Sequence, residues 1–188
     1  MSMKYETPAI DYKKLVNSLD VLLAKVEKTY LSSFPEIERR SISCFRELLD
    51  KELKFHAYAL FKNDNYIGFL TEWIFDAFVY VEHFAIDKTA RNEGLGAMAM
   101  KRFIEQATRP VVLEVELPAD ELSARRIRFY ERLGFISDNH AYQQPPYHKG
   151  ESWLPLRLMV YGRINLEKSF DLIKTCLYKD VYQVNDET

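Results

Sequence analysis

The sequence predicts an α/β (α+β) protein built on one mixed sheet with a parallel crossover near its middle. Three observations lead there. Apolar residues repeat first at helical steps, then at the two-residue step of strands, and then alternate between the two patterns. The resulting order is helices, antiparallel strands, then strand, helix, strand, helix and strand, which implies parallel neighbours joined through a helix. A length of 188 residues, 47% hydrophobic and 29% charged, suffices for one buried core and is too short for two ordinary domains with a linker.

In chain order, Leu22, Leu23, Val26 and Tyr30 recur at three- and four-residue steps and predict an amphipathic helix over 22–30. A second helix is expected directly after Pro35, whose missing N–H suits a first helical turn, on the stripe Ile37, Ile42, Phe45, Leu48 and Leu49. Residues 55–61 and 66–75 read as a hairpin turning through Lys62-Asn63-Asp64-Asn65. Strands rich in aromatic and β-branched side chains follow at 78–86 and 111–117. Between them, Leu95, Met98, Ala99, Phe103 and Ala107 mark the face of a helix over 94–107. A further helix at 122–133 stops at Gly134, where a left-handed residue is commonly needed. Phe135 and Ile136 open a short strand. Pro145, Pro146, Gly150 and Pro155 punctuate an irregular stretch, and 156–161 and 165–178 supply a last strand and a terminal helix.

The 26 Lys and Arg against 28 Asp and Glu leave a net charge of −2, so neither nucleic acid nor an anionic membrane is an expected partner. Arg125, Arg126, Arg128 and Arg132 cluster on one helix, but interleaved with Glu131 they read as a solvated face or as contacts to the phosphates of a ligand. Asp76 and Glu82 interrupt the most apolar segment, so no stretch approaches the roughly 18 apolar residues of a membrane helix. Residues 1–10 carry Lys4, Glu6 and Pro8 and lack the apolar core of a signal peptide, and a cytoplasmic location is expected. Cys44 and Cys176 stand far apart, and His56, His140 and His148 fall outside metal-binding spacings; no metal is expected.

Chemistry concentrates in 86–97, Ile-Asp-Lys-Thr-Ala-Arg-Asn-Glu-Gly-Leu-Gly-Ala, where a strand enters a glycine-bearing turn and then a helix. A helix N-terminus presents unpaired amides with partial positive charge, and glycines clear the approach, so an anion such as a pyrophosphate can sit there. Arg91 adds a positive charge at the rim. The same glycines would equally serve a tight, closely packed turn with no ligand. The third glycine of a dinucleotide fingerprint and the Gly-Lys-Ser/Thr of a P-loop are both missing.

Arg91-x-x-Gly94-x-Gly96 follows the strand end Phe84-Ala85-Ile86-Asp87, and further along stands Ser123-Ala-Arg-Arg-Ile-Arg-Phe-Tyr130-Glu-Arg-Leu-Gly134-Phe135. Together these resemble the two signatures of the GNAT superfamily of acetyl-CoA-dependent N-acetyltransferases. Motif identity is confined to 84–97 and 123–135, and element order extends the resemblance over about 55–161. It implies a GNAT-like, mostly antiparallel sheet with helices on both faces and a splay between the strands at 78–86 and 111–117. The domain would span 1–163 with the N-terminal helices, and 164–188 would form a helical C-terminal extension.

The resemblance also implies acetyl-CoA as cosubstrate. Amides of Arg91, Asn92, Glu93, Gly94, Leu95, Gly96 and Ala97 would hold its pyrophosphate, and Phe84, Ala85 and Ile86 would pair with the pantetheine arm like an added strand. Ser123 stands where the family usually has Asn, and would cap its helix or meet a pantetheine amide with a shorter reach. Tyr130 would protonate the departing thiolate; without the family context it is an aromatic that packs helix on sheet.

A primary amine acceptor, on a small molecule or a peptide, is protonated at neutral pH and must lose a proton before it attacks. Glu82 is the candidate base or acceptor contact, because a carboxylate in an apolar strand needs water, a partner or a substrate. It shares strand parity with Tyr80, Phe84 and Ile86, and the same parity sends His83 to the opposite face as a packing residue. Tyr80, Glu82, Tyr147 and His148 would line the acceptor pocket under the aromatic segment 139–153; alternatively Glu82 pairs with a cation and the aromatics pack on the sheet. Besides an active enzyme, a catalytically idle CoA-binding regulatory domain and a non-enzymatic interaction domain fit the same residues, and a homodimer is left open.

Overall fold

The computed structural model describes residues 10–184. The N-terminal stretch without a signal-peptide pattern, apart from Ile10, and the last four residues of the C-terminal extension lie outside the described residues. Strands β1 (Asp11–Lys14), β2 (Phe55–Lys62), β3 (Asn65–Ile74), β4 (Val79–Ile86), β5 (Val111–Glu116), β6 (Ile136–Ser137), β7 (Tyr142–Gln144) and β8 (Leu154–Tyr161) form one sheet in the order β1-β2-β3-β4-β5-β8-β6, with β7 also on β8. Helices α1 (Leu23–Ser33), α2 (Ile42–Lys51), α3 (Leu95–Gln106), α4 (Glu121–Arg132) and α5 (Leu166–Cys176) cover it.

All strand pairs are antiparallel except β4 and β5, which α3 connects. That pair matches only Val79 with Val111, Tyr80 with Val112 and Val81 with Leu113. Beyond Val81 the strands part, although β4 continues to Ile86 and β5 to Glu116. A bulge accompanies the parting: Thr71 opposes His83 and Glu72 opposes Val81, which leaves Glu82 as the extra residue. The His83 amide donates to Thr71 Oγ1 at 3.0 Å beside the bulge.

The bulge corrects the expectation that Glu82 and His83 point to opposite faces. An extra residue shifts the alternation, and both side chains reach the face covered by α1 and the connection to α2. Tyr30, Phe45, Trp73 and Tyr80 are buried on that face, joined by Ile173, Leu177 and Val181 from α5 and the π-helical turn after it. Met100, Ile104, Ile127, Tyr130 and Leu113 fill the other face under α3 and α4.

Two-residue turn geometry in the first hairpin comes from Asn63 and Asp64, both left-handed at φ 49° and 60°. The helix expected after Pro35 begins later: a short 3-10 turn over Glu36–Glu38 comes first, and Ser41 caps α2 by accepting from the Cys44 amide at 3.2 Å. Strands β1 and β7 were not expected. β1 is an edge strand without apolar alternation, and β7 is three residues long and lies among prolines.

Leu177 has no exposed surface in a core shared with Trp73 and Tyr80. Leu177→Ala is therefore expected to lower stability by about 2–5 kcal/mol in urea unfolding, the range for a large-to-small change in a packed core; a loss under about 0.5 kcal/mol, the level of an exposed surface site, would show that the C-terminal segment packs only loosely.

Candidate active site in the sheet splay

Asp87 anchors the turn after β4. Its Oδ1 accepts from the Thr89 amide and hydroxyl at 3.0 and 2.7 Å, and its Oδ2 accepts from Thr29 of α1 at 2.8 Å. The chain then passes through left-handed Asn92 and Gly94, both at φ 71°, and Gly94 caps α3. The first intrahelical bond runs from the Met98 amide to the Gly94 carbonyl at 3.2 Å, so the amides of Leu95, Gly96 and Ala97 precede it and find no carbonyl within the helix. A Cβ at Gly94 would meet nothing within 4 Å, so the turn is open to solvent on that side.

Gly96 differs from Gly94: a Cβ there would lie 3.5 Å from Ile86 and 3.8 Å from Phe129, ordinary packing distances, so Gly96 faces β4 and α4 rather than open space. Arg91 folds back over the turn, its Nε donating to the Ile86 carbonyl at 3.0 Å and its Nη2 to Ser33 at 3.3 Å. Asn92 and Glu93 are exposed on the same turn. An anion fits this cradle, which offers unpaired amides, a partial positive charge and room.

Phe84, Ala85 and Ile86 pair with Leu70, Phe69 and Gly68 on β3, and their other edge faces the splay unpaired by β5. Ser123 is buried in the first turn of α4, inside a capping box with Asp120: its amide donates to Asp120 Oδ1 at 2.7 Å, and its hydroxyl accepts from the Asp120 amide at 3.1 Å. Asp120, rather than Ser123, is thus the cap. Tyr130 is buried on α4 with its ring against Phe129 and Phe135, at 5.0 and 5.4 Å. Burial pushes its phenol up to about 12, and Arg126 offsets part of that rise.

A cavity of about 230 Å³ opens in the splay, with Glu38, Glu82, His83, Glu114, Glu116 and Tyr147 in its lining. Glu82 is nearly closed off, its side chain 1% exposed, and both oxygens are taken: Oε1 accepts from Arg40 Nε and the Tyr147 hydroxyl, each at 3.0 Å, and Oε2 from Trp73 Nε1 at 2.8 Å. Burial alone would raise its pKa, but Arg40, with the Trp73 and Tyr147 hydrogen bonds, outweighs burial and holds the carboxyl below the usual range. Of the two alternatives open for Glu82, pairing with a cation is the one seen. His83 is kept neutral by burial and meets the Glu38 carbonyl at 3.1 Å.

Tyr147 reaches the cavity with its ring 4.9 Å from the Arg40 guanidinium. His148 lies outside the lining and ties the 139–153 segment to the Glu36 carbonyl at 3.2 Å. Tyr80 sits beneath the cavity, where its hydroxyl donates to Glu114 at 2.9 Å. A larger cleft of about 980 Å³, lined by Tyr142, Trp153 and Tyr178, lies between β7–β8 and α5 and includes neither the α3 amides nor Glu82 or Glu114.

Glu114 of β5 is the residue that sequence reasoning missed. It accepts hydrogen bonds from Tyr80 at 2.9 Å, Tyr182 at 2.7 Å and Tyr142. Burial drives its carboxyl up to about 7 against the opposing pull of the three hydroxyls. The signal existed, a carboxylate inside Val-Val-Leu-Glu-Val, but its partners stand at positions 80, 142 and 182, far away in sequence.

The two carboxylates predict opposite pH responses. Glu82 has a lowered folded pKa, so its stabilisation is present above the usual carboxylate range and lost as pH falls through the lowered value. Glu114 has a raised one, so its contribution is full below the carboxylate range and lost as pH rises towards 7. Accordingly Glu114→Gln should gain melting temperature relative to the native protein between about pH 5 and pH 8, and Arg40→Ala should lose about 3–5 kcal/mol at neutral pH by stranding Glu82. Melting curves across that pH range decide the first, urea titration the second.

A family model described as the Acetyltransferase (GNAT) family matches residues 23–135. A solved protein from Bacteroides thetaiotaomicron, provisionally named an acetyltransferase of the GNAT family, is 40% identical with a TM-score of 0.90 over 93% of this chain and 99% of that one. YjbC of Bacillus subtilis (strain 168), also provisionally named an acetyltransferase, is 32% identical over 108 residues, 56% of this chain and 54% of its own length. The chain thus spans about half the length of that curated relative. Arabidopsis thaliana NAA60, solved in complex with acetyl-CoA, shares the fold at 18% identity and a TM-score of 0.58 over 81% of this chain and 98% of that one. With the anion cradle, the parted strands and a family match over more than half its length, the chain belongs to the GNAT acetyltransferase family.

Proposed function

We propose that this protein transfers an acetyl group from acetyl-CoA to a primary amine. The observation that carries this reading is the conjunction, at one end of the splay, of unpartnered α3 amides, an unpaired β4 edge and a cavity lined by carboxylates. Acetyl-CoA bound there would supply an activated thioester. The amides of 95–97 would hold its pyrophosphate, and the free edge of 84–86 would align the pantetheine arm by main-chain bonding, as an added strand aligns on a sheet.

Tyr130 is the donor in this reading. A phenol with its pKa pushed up to about 12 keeps its proton at neutral pH and can give it to a departing thiolate. Arg91 braces the turn rather than reaching over it, and Ser123 serves α4, so its hydroxyl would have to leave Asp120 to meet the cosubstrate. Glu82 supports the acceptor wall by holding Arg40 and aiming Tyr147; its place in an ion pair makes it a weak base. The acceptor is a small-molecule or peptide amine, drawn as the ammonium into a cavity with more carboxylates than free cations.

Gly94→Val should weaken acetyl-CoA binding at least about tenfold by calorimetry, because a β-branched residue is strained at φ 71° and shifts the turn that aims the amides, while circular dichroism reports whether the rest of the fold stays native. Unchanged affinity would move the phosphate site elsewhere. Tyr130→Phe should lower turnover by about 10²–10⁴ in a thiol-release assay over a panel of amines, with acetyl-CoA affinity retained. Native turnover in that variant would remove the phenol from the mechanism, and acetyl-CoA binding without turnover on any amine would favour an idle CoA-binding domain.

A further inference from the structure

We propose that Glu114, enclosed by the hydroxyls of Tyr80, Tyr142 and Tyr182, is the group that takes the proton from the acceptor ammonium, and that the C-terminal segment completes this site through Tyr182. The proposal rests on the acetyltransferase reading and adds the base and its cage.

The geometry separates Glu114 from its neighbour Glu82. Glu82 is neutralised by Arg40, and a proton placed on it would leave a buried guanidinium without its partner. Among the described residues no cation meets either Glu114 oxygen: Oε2 accepts from Tyr80 and Tyr182, and Oε1 from Tyr142. Three neutral donors make the carboxylate tolerable without a counter-charge, and protonation there discharges a buried anion instead of stranding one. The result is a base balanced between its two forms near neutral pH.

The surroundings favour this balance. Burial and Glu114 itself raise the phenols of Tyr80, Tyr142 and Tyr182 well above their usual value, so all three remain donors. From β4, the Glu82 carboxylate adds to the rise at Glu114, while His83 is kept neutral. Tyr147 and Glu38 face the same cavity from the two flanking loops, and Arg40 is committed to Glu82. Beyond Glu114, Glu116 pairs with Arg126 of α4 at 2.7 Å, and that cation is spent at the rim.

Tyr182 reaches Glu114 because the segment after α5 is tied down at several points. Arg40 Nη2 donates to the Val181 carbonyl, Tyr182 packs its ring 5.3 Å from Tyr147, and Val181 is fully buried. The Glu82–Arg40 pair thus positions the backbone that carries a donor to Glu114.

In the step assigned to it, Glu114 accepts one proton from the acceptor ammonium, directly or through a water. The freed nitrogen lone pair forms a bond to the thioester carbonyl carbon, and the carbon–sulfur bond breaks. Tyr130 gives its proton to the sulfur and is restored by the proton that the acylated nitrogen sheds. Glu114 returns its own proton to solvent, so ammonium and thioester become amide, thiol and one proton.

An infrared titration of the whole protein tests the cage without a substrate. A protonated-carboxyl band should vanish with a midpoint near pH 7, be absent in Glu114→Gln, and titrate about one pH unit higher in Tyr182→Phe and Tyr142→Phe, which each lose one donor to the carboxylate. A band that persists in Glu114→Gln, or no such band in the native protein, overturns the proposal. In kinetics with acetyl-CoA and a turning-over amine, kcat/KM should rise with pH along the same midpoint. Glu114→Gln should lose that limb and fall about 10²–10⁴-fold, and the tyrosine variants should move the limb upward. A merely structural Tyr182 would lower melting temperature and leave the limb in place, which overturns its role, as a Glu114→Gln profile superimposable on the native one overturns that of Glu114. Should Glu114→Gln not fold, the two tyrosine variants carry the test alone. Failure of acetyl-CoA to bind in calorimetry would overturn the acetyltransferase reading and this role with it, and is recognised by a carboxyl band that still titrates.

Discussion

The ion pair between Arg40 and Glu82 joins segments that lie far apart along the chain. Arg40 takes Glu82 from β4, and Glu82 takes Trp73 from β3 and Tyr147 from the 139–153 segment. The Arg40 amide meets the Tyr30 hydroxyl of α1 at 2.7 Å, and its guanidinium holds the Val181 carbonyl beyond α5. Two desolvated charges add little net stability relative to an apolar pair of the same shape. Their value lies in geometry, since each remaining lone pair and N–H selects one arrangement of helix, sheet and C-terminal segment around the splay.

That arrangement depends on a backbone irregularity. Regular pairing of β4 with β5 would close the sheet, and the bulge at Glu82 adds twist where β4 turns away from its parallel neighbour. The opening leaves the 84–86 edge of β4 unpaired by β5 and a cavity with Glu82 and Glu114 in its lining, neither of which a continuous sheet would have. One pair of strands meets two demands here: it pairs for three residues, which joins the two halves of the sheet, and then parts.

Legibility in the sequence followed the distance over which each feature is determined. The β4–α3–β5 crossover and the glycine turn were readable because strand, turn and helix start are set by adjacent residues. Gly94 occupies the left-handed position its surroundings demand, and α4 falls within one residue of its expected bounds. His83 was misplaced because alternation counts residues on one strand, and only the register with β3 reveals the extra one. Ser123, expected either to cap α4 or to meet a pantetheine amide, stands instead at the third helical position of a box led by Asp120, because the order of the two capping residues is the reverse of the usual one. Glu114 escaped because its three hydroxyl partners gather only when four separate elements have folded, and no window of sequence contains them.

Both margins of the sheet are built against unwanted pairing. At one, β1 is four residues long and presents Lys13 and Lys14, both exposed, along its length. At the other, the outer edge of β8 is divided between β6, which pairs with Val160 and Met159, and β7, which pairs with residues 154–156. Between them the Leu158 carbonyl is taken by the Asp138 amide at 2.8 Å. A long bare edge invites a second chain to add a strand and propagate into aggregates, whereas short, charged or subdivided edges offer no run of free main-chain groups. Among the described residues, bare main chain is instead kept inside the sheet, where β4 beyond Val81 and β5 beyond Leu113 no longer pair with each other, and an interior edge lies out of line with the margins at which a second chain would add a strand.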